Sequence, residues 1–564
     1  METPQFICAN WDIDSTDCKK TGKYSCKNCL LVMYCGPSCQ KTHWVLHKTD
    51  CKSPMGKKTW HPDWVLETRK PAFVGDGFGV QFGGKKYLWG NIPALDILQL
   101  GQNEGDNYKG QLRLLFAASG DLRNVAKTIA QLPSSYNQSV NITINDRDLD
   151  IVARNTIILL IALAVDNIDE VVENIIHIWY SALLRKSDLN ILQQRVYPLI
   201  NSVCEKIKSK ESHIFFGKTW KFGQRSLRLV LRRSSWDKLL SYMSVREGFT
   251  AERANEMRTT VTLAESRKDF RDRKFIFQSP SRRIAKNKFL QDGLLLPFGS
   301  HRNEFQEPNP TFFQNTNSWP MHDSADPLNG WSLKEVEDSS SGPATADIYG
   351  KLFYHVCAVL RAFLLRLSVL KVFFRLLQVD ASDLPDHLEN SSFSRIEVSN
   401  ISDSGYLGIH RTISLMVPLL QERLINSHAT LITLFMNAVE ETLTYQDRIS
   451  NMASDSSTRK RLLRYLPPKV KPTNSFDPEI VKFTYALENV ATYDHIFNRF
   501  IKEFNVSEAA QFFGAEMKEK HTITEKWPFR LKLRPGQPGA QEEFDRLLGG
   551  GLSGKERYVE WKRA

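Results

Sequence analysis

Residues 112–132, LRLLFAASGDLRNVAKTIAQL, and residues 140–155, VNITINDRDLDIVARN, decide the fold. LRLLFAA is a short apolar run stopped by Ser119-Gly120-Asp121, after which apolar residues recur at helical intervals. VNITIN alternates as a strand, ends at Asp146-Arg147-Asp148, and leads into a long apolar helix over 149–165. Strand, turn and helix, twice over, is the opening of a doubly wound α/β sheet. A related unit recurs downstream. Residues 393–400 (FSRIEVSN) read as a strand closed by ISDSGYLG, 409–425 as a helix, and 429–435 (ATLITLF) as another strand. The two halves are expected to complete one sheet around a large insertion.

The 564 residues are too many for one compact core, and roughly three to five folding units are expected. The chain divides into a cysteine-rich module (1–58), a Lys- and Gly-rich connector (59–93), the first part of the α/β body (94–203), a basic and Pro/Ser-rich insertion (204–348), the second part of the body (349–470), and a C-terminal helical region with a flexible tail (471–564). Residues 349–377 read as one helix interrupted by Arg361, Arg366, Lys371 and Arg375, hence buried or partner-facing and not a membrane span. Gly549-Gly550-Gly551 reads as a hinge near the tail. The N-terminus lacks a basic-then-apolar signal, and the apolar peak at 155–165 falls short of the ~20 residues a spanning helix needs. An intracellular protein, cytoplasmic or nuclear, is expected.

Net charge is +12. Residues 204–289 alone hold 22 Lys and Arg against 9 Asp and Glu, so the basicity belongs to one region. RSLRLVLRR there reads as an amphipathic element, and a solvated charged face is its simplest meaning.

Seven of nine cysteines fall within the first 51 residues, which in a chain without a signal reads as metal binding. The spacing is Cys8-x9-Cys18-x7-Cys26-x2-Cys29-x5-Cys35-x3-Cys39-x7-His47-x3-Cys51, eight ligands for two tetrahedral zinc ions. Cys26 and Cys29 have knuckle spacing; Cys35 with Cys39, and His47 with Cys51, each lie on one face of a helical turn. His43, one turn before His47, is the alternative ligand, and the three-residue step to Cys51 favours His47. So small a module needs zinc to supply much of its folding free energy. Cys204 and Cys357 stand alone in apolar surroundings and read as structural thiols.

The arrangement YC-x3-CQ-x2-HW-x2-HK-x2-C over 34–51 resembles a MYND-type zinc finger. The resemblance implies cross-bracing, with Cys8, Cys18, Cys35 and Cys39 on one zinc and Cys26, Cys29, His47 and Cys51 on the other, although the nine-residue gap after Cys8 is longer than the family's usual two. It also implies binding of a proline-containing peptide of a partner protein through Gln40 and Trp44, with Tyr34 and Val32 nearby. Nine lysines against five acids in 1–58 are compatible with weak nucleic-acid attraction, but no base-reading helix pattern accompanies them. The motifs ALDILQLGQNEG, LRLLFAASGDLRNVAKTI, ITINDRDLDIVARN and RIEVSNISD resemble a domain of unknown function that follows MYND fingers in fungal proteins and is shared with axonemal dynein assembly factors.

The body also resembles class I methyltransferases, in which a glycine-rich turn after the first strand and an acid after the second hold the cofactor. The matching candidates are Gly120 and Asp146. Only one of the expected glycines is present, so Gly120 reads as a tight turn, with Asp121, Asp146 or Asp148 capping helices. Asn400, Asp403, Gly405 and Tyr406 occupy the equivalent place after a later strand and read the same way. The expected protein is a zinc-dependent interaction or regulatory protein with a methyltransferase-like, non-catalytic scaffold, no catalytic residue, and no S-adenosylmethionine. The competing expectation is an S-adenosylmethionine-dependent methyltransferase that uses the finger to recruit substrate.

Overall fold

The structure is a computed structural model that describes residues 5–10, 18–75, 81–453, 456–468, 472 and 474–564. The expected boundary at 470/471 and part of the glycine-rich connector (76–80) lie outside the described residues. Nine strands among the described residues form the main sheet: β1 (Leu112–Phe116), β2 (Val140–Asp146), β3 (Phe215–Phe222), β4 (Arg225–Arg232), β5 (Val372–Gln378), β6 (Arg395–Glu397), β7 (Thr430–Phe435), β8 (Ala515–Met517) and β9 (Arg557–Arg563). Their order is β8-β9-β7-β6-β1-β2-β5-β4-β3. Strands β7, β6, β1, β2, β5 and β4 are mutually parallel; β9 is antiparallel to both neighbours, and β3 to β4. The order turns back at β1, with β2 and β5 on one side and β6 and β7 on the other.

Side-chain alternation divides the interior into two cores, one on each face of the sheet. Leu112, Leu114 and Phe116 enter one with Ile142, Ile144 and Phe374, while Leu115 and Ala117 enter the other with Ile396, Leu431 and Trp561. A parallel strand covered on both faces has no polar side to show, which is why LLFAA, residues 114–118, reads as an unbroken apolar run after Arg113. The helix Leu149–Ala164 is likewise buried from Ile151 to Leu163, capped at its start by the Asp148 carboxylate on the Asp150 N–H.

Three expectations are corrected. The helix expected over 349–377 ends at Val369; Leu370 is extended, and Val372–Gln378 is β5, a strand inside the sheet. Over so short an apolar run the helical and strand periods coincide, but Val372, Phe374 and Leu376 are buried while Phe373 is exposed, the alternation of a strand. The helix itself, Ile348–Val369, is long and apolar enough to cross a membrane by length and composition, and here it packs against the helices Arg123–Ala130 and Ile168–Tyr180.

The basic element RSLRLVLR is β4: Leu227, Leu229 and Leu231 are buried, and Arg228 and Arg232 point out. The insertion over 204–348 therefore donates two strands to the sheet it was expected to interrupt.

The expected flexible tail is β9, which lies between β7 and β8 with Trp561 and Glu560 fully buried. The triple glycine closes the helix Ala540–Gly549 and turns the chain into that strand, with Gly551 and Gly554 at positive φ.

Candidate metal centre

The chain reaches the zinc ligands through short, locally dictated elements. Tyr24–Ser25 pairs antiparallel with Met33–Tyr34. Between them, the Leu30 N–H donates to the Cys26 carbonyl at 2.9 Å with Leu30 at positive φ, a tight turn that aims Cys26 and Cys29 to one side. The helix Pro37–Cys51 starts on Gly36-Pro37 and carries Cys39, His43, His47 and Cys51 at four-residue steps. Backbone hydrogen bonds from Cys8 to Lys20 and from Ala9 to Met33 bring Cys8 alongside.

Two donor clusters result: Cys8, Cys18, Cys35 and Cys39, and Cys26, Cys29, His47 and Cys51, the donor atoms of each within 4.8 Å of one another. Sγ–Sγ separations are 3.7 Å for Cys18–Cys35, 3.4 Å for Cys35–Cys39 and 3.7 Å for Cys26–Cys51; Cys29 Sγ lies 3.4 Å from His47 Nε2. A zinc tetrahedron with ordinary Zn–S and Zn–N bonds has edges of about 3.8 Å between sulfurs and about 3.5 Å between sulfur and nitrogen. A disulfide would bring sulfurs to about 2 Å. The thiols also cannot all ionise without a cation among them. Hydrogen bonds from Cys29 and His47 bring Cys26 down to about 3, the Cys26 partner and burial push Cys29 up, and burial with the Cys35 partner pushes Cys39 up to about 12. The residues fit two zinc ions, and both clusters are closed by four protein donors, the mark of structural sites. When bound, zinc supplies folding free energy to the finger; it leaves no open position for chemistry. Asn28 donates to the Cys51 sulfur at 3.3 Å and to its carbonyl at 3.0 Å, orienting that ligand.

His43 belongs to neither cluster. Its Nδ1 is 3.0 Å from the Tyr34 hydroxyl, and burial, with His47 alongside, brings the ring down to about 4, a neutral imidazole in the finger's interior. Tyr34 and Val32 are buried in the same interior and offer no surface to a peptide. Gln40 and Trp44 are half-buried, one turn apart on one face of the helix. Trp44 packs edge-on to His47 with ring centroids 5.9 Å apart, and the Lys52 ammonium lies 5.8 Å from the Trp44 ring.

The finger is bound to the body. Ser281 Oγ donates to the Cys29 carbonyl at 2.8 Å, Ala346 N–H to the Leu30 carbonyl at 3.1 Å, and Arg283 to the carbonyls of Met55 and Lys57. Phe6 packs edge-on against Tyr354. The expected connector is packed as well: Trp64, Phe73, Trp89 and Ile92 are buried.

At the turning point of the sheet, Gly120 and Asp146 do come together. Gly120 is at φ +59, and a Cβ there would meet nothing within 4 Å. Its N–H donates to Asp146 Oδ2 at 3.1 Å, while Asp146 Oδ1 accepts the Asp148 N–H at 2.9 Å. Burial pushes the Asp146 carboxyl up to about 6. Asp403 accepts the N–H groups of Met436 and Asn437 and the side-chain amides of Asn400 and Asn437, tying the end of β6 to that of β7. Tyr406 is exposed and Gly405 faces open space. The thiols of Cys204 and Cys357 are both pushed up by burial, Cys204 to about 11.

Sequence reasoning missed the strap that holds the first βα unit. Gly90 N–H donates to Asp121, Leu95 N–H to Asn124 and Ile97 N–H to Thr128, so residues 90–97 run along the helix Arg123–Ala130. Arg123 is buried against Asp121 at 2.6 Å and the Ile92 carbonyl at 2.8 Å, and a Cβ on Gly90 would lie 2.0 Å from its guanidinium. A polar helix face with Arg, Asn, Lys and Thr at 123, 124, 127 and 128 was the available signal.

The MYND finger family matches at residues 15–51, and a domain of unknown function, DUF4470, at residues 88–184, which spans the strap, β1, β2 and their helices. No curated protein and no solved structure matches the chain. This chain thus carries a MYND finger with two zinc clusters, built onto a mixed α/β body whose opening is a DUF4470 domain.

Proposed function

We propose that the protein is an adaptor: its MYND finger binds a proline-containing segment of a partner protein, and its methyltransferase-like, doubly wound body is a non-catalytic scaffold. The observation that carries the reading is the helix Pro37–Cys51, which spends Cys39, His47 and Cys51 on zinc and leaves Gln40 and Trp44 together on a half-buried face. An indole beside an amide suits proline, whose ring packs on the aromatic face while the amide meets the neighbouring backbone. Thiolate-rich sites of this kind persist in a reducing compartment, the cytoplasm or nucleus. The test is fluorescence anisotropy of the full zinc-loaded chain with a set of labelled proline-containing peptides. Binding that Trp44→Ala and Gln40→Ala each weaken at least tenfold, with two zinc ions retained, supports the reading; no binding, or binding indifferent to both variants, refutes it.

The second reading, a methyltransferase, is favoured by the open space over Gly120 at the point where the strand order turns back, where open α/β sheets bind ligands. Against it, the Gly120 N–H and both Asp146 oxygens are engaged within the loops. Calorimetric titration with S-adenosylmethionine separates the two. The scaffold reading expects no heat of binding, and micromolar binding abolished by Gly120→Asp would establish the alternative.

A further inference from the structure

The two sides of the main sheet are not equally covered. Alternation along β4 and β5 sends Leu227, Leu229, Phe374 and Leu376 into one core. Ser226, Arg228, Phe373 and Arg375 therefore lie on the opposite face, with Thr219 and Lys221 of β3 beside them. Among the described residues of these three strands, only Val230 and Leu377 join the core on that face.

The ladder register sets the layout. Phe373 pairs with Asn141 of β2 on one side and Ser226 of β4 on the other; beyond them stand Arg113 of β1 and Lys221 of β3. Two residues further along, Arg375 and Arg228 are direct partners on adjacent strands. Neighbouring strands are about 4.8 Å apart and same-face residues about 6.6 Å, so these groups surround Phe373 within about 10 Å. The Phe373 ring itself is 40% exposed.

Two cations set opposite each other on neighbouring strands are destabilising. Burial, with Arg228 alongside, lowers the Arg375 guanidinium from its usual value, and Glu389 opposes that shift. Both arginines are nonetheless held in place. Arg375 Nη2 donates to the His387 carbonyl at 3.0 Å, while its Nε is buried without a hydrogen-bond partner. Arg228 Nη1 donates to Thr219 Oγ1 at 3.4 Å, and its Nη2 lies over Gly217, where a Cβ would come within 2.7 Å. Arg113 pairs with the exposed Glu389 at 3.5 Å; Lys221, Arg228 and Arg375 form no ion pair among the described residues. Glu389 belongs to the loop that bounds this face, as do the exposed Asp383 and Asp386.

We propose that this open face binds single-stranded nucleic acid, with a base stacked on Phe373 and the neighbouring phosphates on Arg228, Arg375 and Lys221. An acidic protein segment would answer the cations but leave the exposed ring unused. A base uses both, because its flat face stacks on the aromatic ring and its edge meets Asn141 and Ser226. A duplex hides its base faces, so the unpaired strand is the occupant. The peptide face at Gln40 and Trp44 belongs to the finger, so either reading can fail without the other.

The experiment is fluorescence anisotropy of the full zinc-loaded chain with a labelled oligouridine of about twelve nucleotides, over about 50–200 mM salt. Affinity should fall with salt at a log–log slope of about −2, from three phosphate contacts at about 0.7 each. Arg228→Gln should reduce the slope by about 0.7. Phe373→Leu should keep the slope and weaken binding roughly fivefold or more, and Phe373→Tyr, which keeps a ring, should bind like the parent. Arg228 and Phe373 are exposed, so all three variants should keep two zinc ions and the parent's melting temperature. Absence of binding overturns the proposal, as does binding indifferent to Arg228→Gln or Phe373→Leu. Equal binding of the same oligomer in a duplex overturns it too, and full displacement by poly-glutamate would assign the face to an acidic protein instead.

Discussion

Replacing each of the two stacked histidines of the finger separates a metal ligand from its neighbour. His43 and His47 lie one turn apart, ring centroids 6.0 Å from each other and nearly parallel, and both are buried. Only His47 has a nitrogen within 3.4 Å of a cysteine sulfur; His43 faces the Tyr34 hydroxyl. His47→Ala leaves three thiolates and an open position in a fully buried site. A structural zinc contributes on the order of 10–16 kcal/mol to the folding of such a module, at least as much as the whole stability of a domain, about 5–15 kcal/mol. The finger should therefore unfold as its second zinc is lost. His43→Ala forfeits the hydrogen bond to Tyr34, about 0.5–1.5 kcal/mol, and leaves a small cavity; the total should stay near 2–3 kcal/mol with both zinc ions in place. Zinc per chain by elemental analysis, together with release of metal to a chromogenic chelator during urea titration, reads both quantities. Two zinc ions retained in His47→Ala, or loss from His43→Ala alone, would refute the ligand assignment.

Cys8 lies outside the segment that matches the finger family, yet it supplies the fourth sulfur of the first cluster, so Cys8→Ser should reduce elemental zinc from two to one per chain. Trp561, fully buried in β9 with its indole N–H 2.9 Å from Thr433 Oγ1, should cost about 3–5 kcal/mol on truncation to Ala; a denaturation midpoint equal to the parent's would mean that the strand is dispensable. Glu560 beside it offers a pH test. Burial alone would raise its carboxyl, but the N–H groups of Thr522 and Thr524 and the Lys518 ammonium outweigh burial and hold it below the usual range. A lowered folded-state pKa stabilises above the unfolded value and is lost as pH falls through the folded one. Glu560→Gln should thus cost about 3 kcal/mol at pH 7, and the gap from the parent in thermal melts should close below about pH 4; a gap that is constant with pH would contradict the ionised form.

What the sequence makes legible follows from where a single period decides the outcome. The spacing from Cys8 to Cys51 admits few geometries, and all eight ligands fall into the expected clusters. β1, β2, β6 and β7 stand within their expected segments because turn residues bound each apolar run. The errors cluster at strands whose neighbours are remote in sequence. β5 follows a long apolar helix with only Leu370 and Lys371 between them. β4 carries three arginines that look solvated until its leucines are set against Phe374 and Leu376 of β5. β9 ends the chain after three glycines, and only pairing with Thr430–Phe435 makes it central. The strap at 90–97 was invisible for the same reason: its hydrogen bonds end on side chains about 30 residues away.

The same hydrogen bonds bear on why a zinc finger and this body occur in one chain. A finger on a loose tether would search for its partner independently, but here the knuckle carbonyls of Cys29 and Leu30 accept from Ser281 and from Ala346. Ser281 belongs to the helix Pro280–Asp292, and Arg283 of that helix holds the chain just past the finger. One helix thus contacts both the zinc knuckle and the segment that follows the finger. These contacts hold the helix face that carries Gln40 and Trp44 in a set orientation to the body. On the adaptor reading proposed above, a segment bound at that face would be presented to the body at one angle, which is the physical difference between a scaffold and a tether.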